Sequence, residues 1–149
     1  MLHLIKSTTD KFFELLSHDP VRPSIPHNER IGVNRDIFVG RDSNDKVTAI
    51  TCVSYQDSIP ISENELFRVA HDPDIAIFYT IWSYEPGAGR RLIFDAVNHI
   101  RQTNQSISRF VTLSPPTEMA RRFHLKNGAV IFRENTETVN YEYRVLLQT

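Results

Sequence analysis

A single cysteine in 149 residues leaves nothing to pair with, so no disulfide framework can hold this chain together. Cys52 stands in the alternating run ITCVSY and reads as a small buried hydrophobe in a reducing, cytoplasmic setting. Long apolar runs are also missing. The longest are strand-sized, which excludes a membrane-spanning helix, and the first residues, MLHLIKSTTDK, lack the apolar core of a secretory signal. Neither sign of charge dominates: 17 Lys and Arg face 18 Asp and Glu, for a net charge of -1. Such a balance gives no global attraction to nucleic acid or to an anionic membrane, and neither is expected as a partner. His3, His18, His27, His71 and His99 show no metal-ligand spacing, so no metal is expected. Repeats and low-complexity tracts are absent.

What remains is an ordinary globular composition, 40% hydrophobic and 23% charged. The length suits one domain over residues 1–149 with a single sizeable core; monomer or homodimer is left open. Phe12, Leu15 and Leu16 share a face of a first helix over residues 8–18, which Asp19-Pro20 ends. Pro20, Pro23 and Pro26 then mark an irregular loop. Residues 36–41 and 47–56 read as a β-hairpin across Asp42-Ser43-Asn44-Asp45. A short helix is expected near Glu63–Val69. Residues 74–82, nearly all apolar, read as a central strand buried on both faces. Leu92, Ile93, Ala96, Val97 and Ile100 give helical spacing over residues 88–103. A strand at 108–113, a helix at 116–127 and strands at 129–133 and 139–146 complete the order. This pattern predicts an α/β (α+β) layered domain with a mixed sheet.

Two strand-to-helix passages carry the chemistry. The run AIFYTIWSYEPGAGRRLIF takes a buried strand through glycine into a helix, the arrangement that offers backbone N–H groups to phosphate. The second, RFVTLSPPTEMARRFHLKNGAV, takes a strand ending at Ser114 into a helix that Asn127-Gly128 stops. Side by side they form a cleft suited to coenzyme A. His124, near the end of the second helix, is able to donate and accept near neutrality. Ser114, followed by proline, reads either as a site residue or as a helix N-cap. Ten helical residues rise about 15 Å, so one unbroken helix would keep Ser114 and His124 apart. Tyr141 and Tyr143 alternate and are expected to pack on one sheet face.

On these segments the chain resembles the GNAT (N-acetyltransferase-fold) superfamily over roughly residues 35–146. The segment Tyr84-Glu85-Pro86-Gly87-Ala88-Gly89-Arg90 is similar to its pyrophosphate loop, Gln/Arg-x-x-Gly-x-Gly/Ala, with Tyr84 in place of the usual first residue. The resemblance implies a mostly antiparallel sheet with a splayed central strand pair and helices on both faces. It also implies an acyl-CoA cleft between the fourth and fifth strands and no resident metal. FYTIWS, FVTLSP, RFHLKNGAV and VNYEY, in that order, resemble more narrowly the C-terminal catalytic domain of malonyl-CoA decarboxylase. By that resemblance Ser114 and His124 are catalytic. Ile81, Trp82 and Ser83 would touch the coenzyme along the strand, and Gly87, Ala88, Gly89, Arg90 and Arg91 would hold its phosphates. Thr117 would bind pantetheine or cap its helix. The decarboxylases' helical N-terminal domain and the insertion between their LSP and FHL segments have no counterpart in these residues.

Three functions follow as expectations. The first is a malonyl-CoA decarboxylase-like enzyme, with backbone N–H groups of a splayed or bulged strand 74–82 and His124 supporting an enolate. The second is an N-acetyltransferase, with His124 protonating the departing thiolate. The third is a CoA-binding module without turnover.

Overall fold

The computed structural model describes residues 1–144 and contains seven strands in one sheet. In chain order these are β1 (Leu2–Ile5), β2 (Arg35–Arg41), β3 (Val47–Gln56), β4 (Ile75–Ser83), β5 (Arg109–Thr112), β6 (Val130–Glu134) and β7 (Val139–Tyr143). Helix α1 (Ala88–Thr103) joins β4 to β5, and α2 (Glu118–Lys126) joins β5 to β6. The sheet runs β1-β2-β3-β4-β5-β7-β6 and is antiparallel except at the β4–β5 pair. A parallel pair needs a crossover, and α1 supplies it. None of the helices is long and apolar enough to cross a membrane among the described residues.

Side-chain alternation sends two apolar sets to opposite faces. One face carries Phe38, Val53, Ala76, Phe78, Phe110 and Tyr141, covered by Leu92, Ile93, Ala96 and Ile100 of α1 and by Phe123 of α2. The other carries Ile37, Val39, Ile50, Cys52, Ile77 and Val111. That face is covered by 3-10 turns and irregular segments through Leu16, Ile25 and Leu66. Cys52 is fully buried, as its alternating context indicated.

The helix expected over residues 8–18 is replaced by a 3-10 helix, Phe13–His18. The cause is local: Thr9 N–H donates to Ser7 Oγ, and Phe12 N–H donates to Asp10 Oδ1. Side chains that bond backbone two residues on hold the chain in turns instead of a helical ladder. β1, too short for a periodicity reading, pairs with β2. The helix expected near Glu63–Val69 is a single 3-10 turn, Glu63–Glu65. Residues 145 and 146 of the expected last strand lie outside the described residues.

Candidate active-site cleft

The cleft originates in one extra residue on β4. Phe78 pairs with Val53 and Thr80 with Cys52, so Tyr79 is a β-bulge. Its effect shows in the faces: Ile75, Ile77 and Tyr79 share one face and Trp82 joins them, while Ile81 packs on the opposite one. Thr80 also points to the Tyr79 side, where its hydroxyl donates to Asp19 Oδ1 at 2.7 Å. The edges reverse with the faces. Before the bulge, Phe78 C=O accepts from Leu113 N–H of the β5 segment at 3.0 Å; beyond it, Tyr84 N–H donates to Thr48 C=O beside β3 at 2.8 Å. Alternation between Tyr84 and the bulge therefore turns the Ile81 and Ser83 backbone groups away from β3, toward the β5 side.

On that side β5 has departed. The β4–β5 register runs from Ile75↔Arg109 to Phe78↔Thr112 and stops. Arg22 closes the vertex: Nε donates to Tyr79 C=O at 3.2 Å and Nη2 to Leu113 C=O at 2.8 Å. Arg22 is held in turn by Asp19, whose Oδ1 accepts from the Val21 and Arg22 N–H groups and whose Oδ2 accepts from the fully buried Arg30. The Pro-rich loop is thus tied across the opening.

Above the vertex lies a cleft of about 360 Å³. Ile81, Trp82, Ser83, Gly89, Ser114, Thr117 and His124 all line it, so seven sequence-predicted residues converge. Among the described residues that line it, none is Asp, Glu, Lys or Arg. The coarse strand–glycine–helix pattern located this place; Pro20, which also lines it, read only as part of an irregular loop, and Val21 on its wall and Arg22 behind it carried no sequence signal.

His124 is 4% exposed, and its ring stacks on Tyr141 with centroids 5.0 Å apart. Nδ1 lies 2.7 Å from Tyr143 Oη, leaving Nε2 as the nitrogen without a protein partner among the described residues. Burial pushes the imidazole pKa down to about 4, so the ring is neutral at neutral pH. Burial likewise raises the Tyr143 hydroxyl, which keeps its proton. Tyr141 and Tyr143 do pack on one sheet face, but Tyr143 also carries this polar contact.

Ser114 is not the helix cap. Its N–H and C=O bond Val139, continuing the sheet as an isolated bridge, and its Oγ lies 2.7 Å from Thr112 Oγ1. Thr112 Oγ1 accepts from Tyr141 N–H at 3.1 Å, which leaves the Thr112 hydrogen for Ser114 or the Ser114 hydrogen for Thr112. Thr117 caps α2, its Oγ1 accepting from Ala120 N–H at 3.2 Å. Ser114 and His124 share the cleft with no hydrogen bond between them.

At the start of α1, Gly87 adopts φ +79, a conformation open to glycine. Not every N–H there is free. Ala88 donates to Glu85 C=O and Arg91 to Gly87 C=O, while Gly87, Gly89 and Arg90 have no N–H partner among the described residues. Ala88 is buried, Arg90 and Arg91 are exposed, and none of Gly87, Ala88, Arg90 and Arg91 lines the cleft itself. Gly89 has a packing role: a Cβ there would lie 3.2 Å from Phe123 Cε1 and 3.7 Å from Ile81 Cδ1.

A mixed sheet opened at a bulged parallel pair, with a glycine-started helix beside the opening, is the GNAT fold, and solved GNAT structures match it. Malonyl-CoA decarboxylase from Rhodopseudomonas palustris matches with a TM-score of 0.75 and 19% identity, over 97% of this chain and 60% of that one. The enzyme of that name from Agrobacterium vitis matches with a TM-score of 0.68 and 23% identity, over 91% of this chain and 38% of that one. A Bacillus subtilis acetyltransferase solved in complex with CoA matches with a TM-score of 0.65 and 13% identity, over 95% and 96%. The chain therefore spans 38% and 60% of the length of these two decarboxylases. No family model and no curated protein sequence matches it.

Proposed function

We propose that residues 1–149 form one acyl-CoA-binding domain that performs malonyl-CoA decarboxylase-like chemistry on a CoA thioester. The observation that carries this reading is a buried, neutral histidine facing a cleft with no ionised side chain among the described residues of its walls. The thioester arm enters where β4 and β5 part, with the Ile81 and Ser83 backbone groups beside it. Pyrophosphate sits at the unpartnered N–H groups of Gly87, Gly89 and Arg90, with Arg90 and Arg91 as counter-charges.

In this reading, the bond to the departing carboxylate breaks and its electron pair forms an enolate as CO₂ leaves. Apolar walls leave that carboxylate poorly solvated, and the charge moves onto the thioester oxygen. His124 Nε2 and strand N–H groups stabilise that oxygen. The enolate carbon then takes a proton that comes from water, giving the acetyl thioester. A histidine pushed down to about 4 serves better as a hydrogen-bond donor than as the acid that protonates carbon or a thiolate. Ser114, beside Thr112, adds a hydroxyl to the same cleft.

An N-acetyltransferase is the second reading. It is favoured by the match over nearly the full length of both chains to the Bacillus subtilis protein. It is disfavoured because no carboxylate among the described residues lines the cleft to take the amine proton. Malonyl-CoA is incubated with wild-type protein and with His124→Gln, and acetyl-CoA formation is followed by chromatography. The expected result is turnover in the wild type and a loss of about 10²–10³ in the variant, the scale of one lost oxyanion donor. Wild-type protein that leaves malonyl-CoA intact but acetylates an amine panel from acetyl-CoA establishes the second reading.

A further inference from the structure

Two polar contacts lie at the end of α2. Arg90 Nη1 donates to Asn127 Oδ1 at 3.2 Å, with its guanidinium 4.9 Å above the Phe94 ring. This bond places Oδ1 of the Asn127 amide toward α1. Nδ2 is buried and has no hydrogen-bond partner among the described residues. Tyr143 Oη lies 2.7 Å from His124 Nδ1.

A phenol has one hydrogen. Nδ1 is the one hydrogen-bond partner of Oη among the described residues, so the buried phenol that keeps its hydrogen points it to Nδ1. A neutral imidazole that accepts at Nδ1 carries its hydrogen on Nε2. We propose that Tyr143 is a positioning residue that holds His124 in the Nε2–H tautomer, aimed into the cleft as a donor. The consequence for catalysis rests on the acyl-CoA reading above. The tautomer itself is a property of the free protein.

The test is a long-range ¹H–¹⁵N correlation spectrum of histidine-labelled protein at pH 7. The His124 signals are assigned by their loss in His124→Gln. The expected wild-type pattern is a protonated Nε2 and an acceptor Nδ1. Tyr143→Phe removes the donor and is expected to raise the Nδ1–H form from a trace to a major fraction. The wild-type spectrum decides the matter alone if Tyr143→Phe fails to fold. Wild-type His124 protonated at Nδ1 overturns the proposal. So does an unchanged pattern in Tyr143→Phe with a wild-type-like amide spectrum. Protein with the expected tautomer but no turnover of malonyl-CoA loses the proposed function and keeps this inference.

Discussion

A histidine that titrates near 4 instead of 6.5 has a consequence for stability. The folded state holds fewer protons than the unfolded state between those values, so its stability is fully present above pH 6.5 and falls as the medium is acidified toward pH 4. The loss across that window amounts to about 3 kcal/mol for this group. Urea unfolding of wild-type protein at pH 7 and pH 4.5 should show the drop, and His124→Gln should remove that part of it. Identical pH dependence in the two proteins would mean that His124 is not held neutral by burial. A glutamine keeps an amide near Tyr143 and avoids opening a large void. At the same scale, Thr117→Ala removes the cap of α2 and is expected to cost about 1 kcal/mol. Ser114→Ala instead removes the partner of the buried Thr112 hydroxyl, and its cost is that of one hydrogen bond, about 1 kcal/mol.

Among elements, α1 and α2 meet at Gly89 and Phe123, and both touch the cleft. Gly89→Val would therefore act through Phe123 as much as through the phosphate. The β-carbon pushes on the aromatic ring, and the ring sits in the cleft wall. Weakened acyl-CoA binding is expected, followed through the fluorescence of Trp82, the sole tryptophan of the chain and a cleft-lining residue. Phe123→Leu in the same protein should restore part of the affinity; no restoration would assign Gly89 to the phosphate alone. Helix α1 was legible because its apolar spacing is long and regular after a glycine-marked start, and α2 because Asn127-Gly128 marks its end. The β-hairpin and the central strand were legible for similar reasons. The first helix misled because Phe12, Leu15 and Leu16 have helical spacing, yet Ser7 and Asp10 bond the backbone locally. The bulge at Tyr79 left no trace, since FYTIW is apolar on both sides and a one-residue offset changes nothing in its composition. His124 and Ser114 stood out by chemistry and motif, whereas Tyr143 and Asn127 looked like sheet packing and a helix stop. Their polar roles depend on contacts between α2, β7 and α1 that are distant in sequence.

Across the whole molecule, the opening between β4 and β5 is an unpaired stretch in the middle of a sheet, and such a gap needs support from outside it. The bulge reverses the edges of β4, but it leaves Tyr79 and Leu113 carbonyls facing each other with no strand partner. Arg22 bridges both. The loop that carries it is tied down by Asp19, which gathers Thr80, Arg30 and two backbone N–H groups around one carboxylate. The irregular face of the sheet thereby fixes the shape of a cleft that the helical face completes. Arg22→Met keeps the aliphatic stem and removes both donors. Two buried carbonyls then lose their partners, at an expected cost of about 2–4 kcal/mol. Arg22→Lys retains a charge but cannot fork between two acceptors, so it should recover only part of that loss. Urea unfolding gives the energies, and Trp82 fluorescence gives acyl-CoA affinity in the same samples. The expected order is wild type, then lysine, then methionine in both measurements, because the residue supports the fold and the opening together. Wild-type stability in Arg22→Met would mean that the bulge holds the strands apart unaided. Lost stability with unchanged affinity would mean that the vertex matters to the fold and the binding surface is set by β4 and α1 alone.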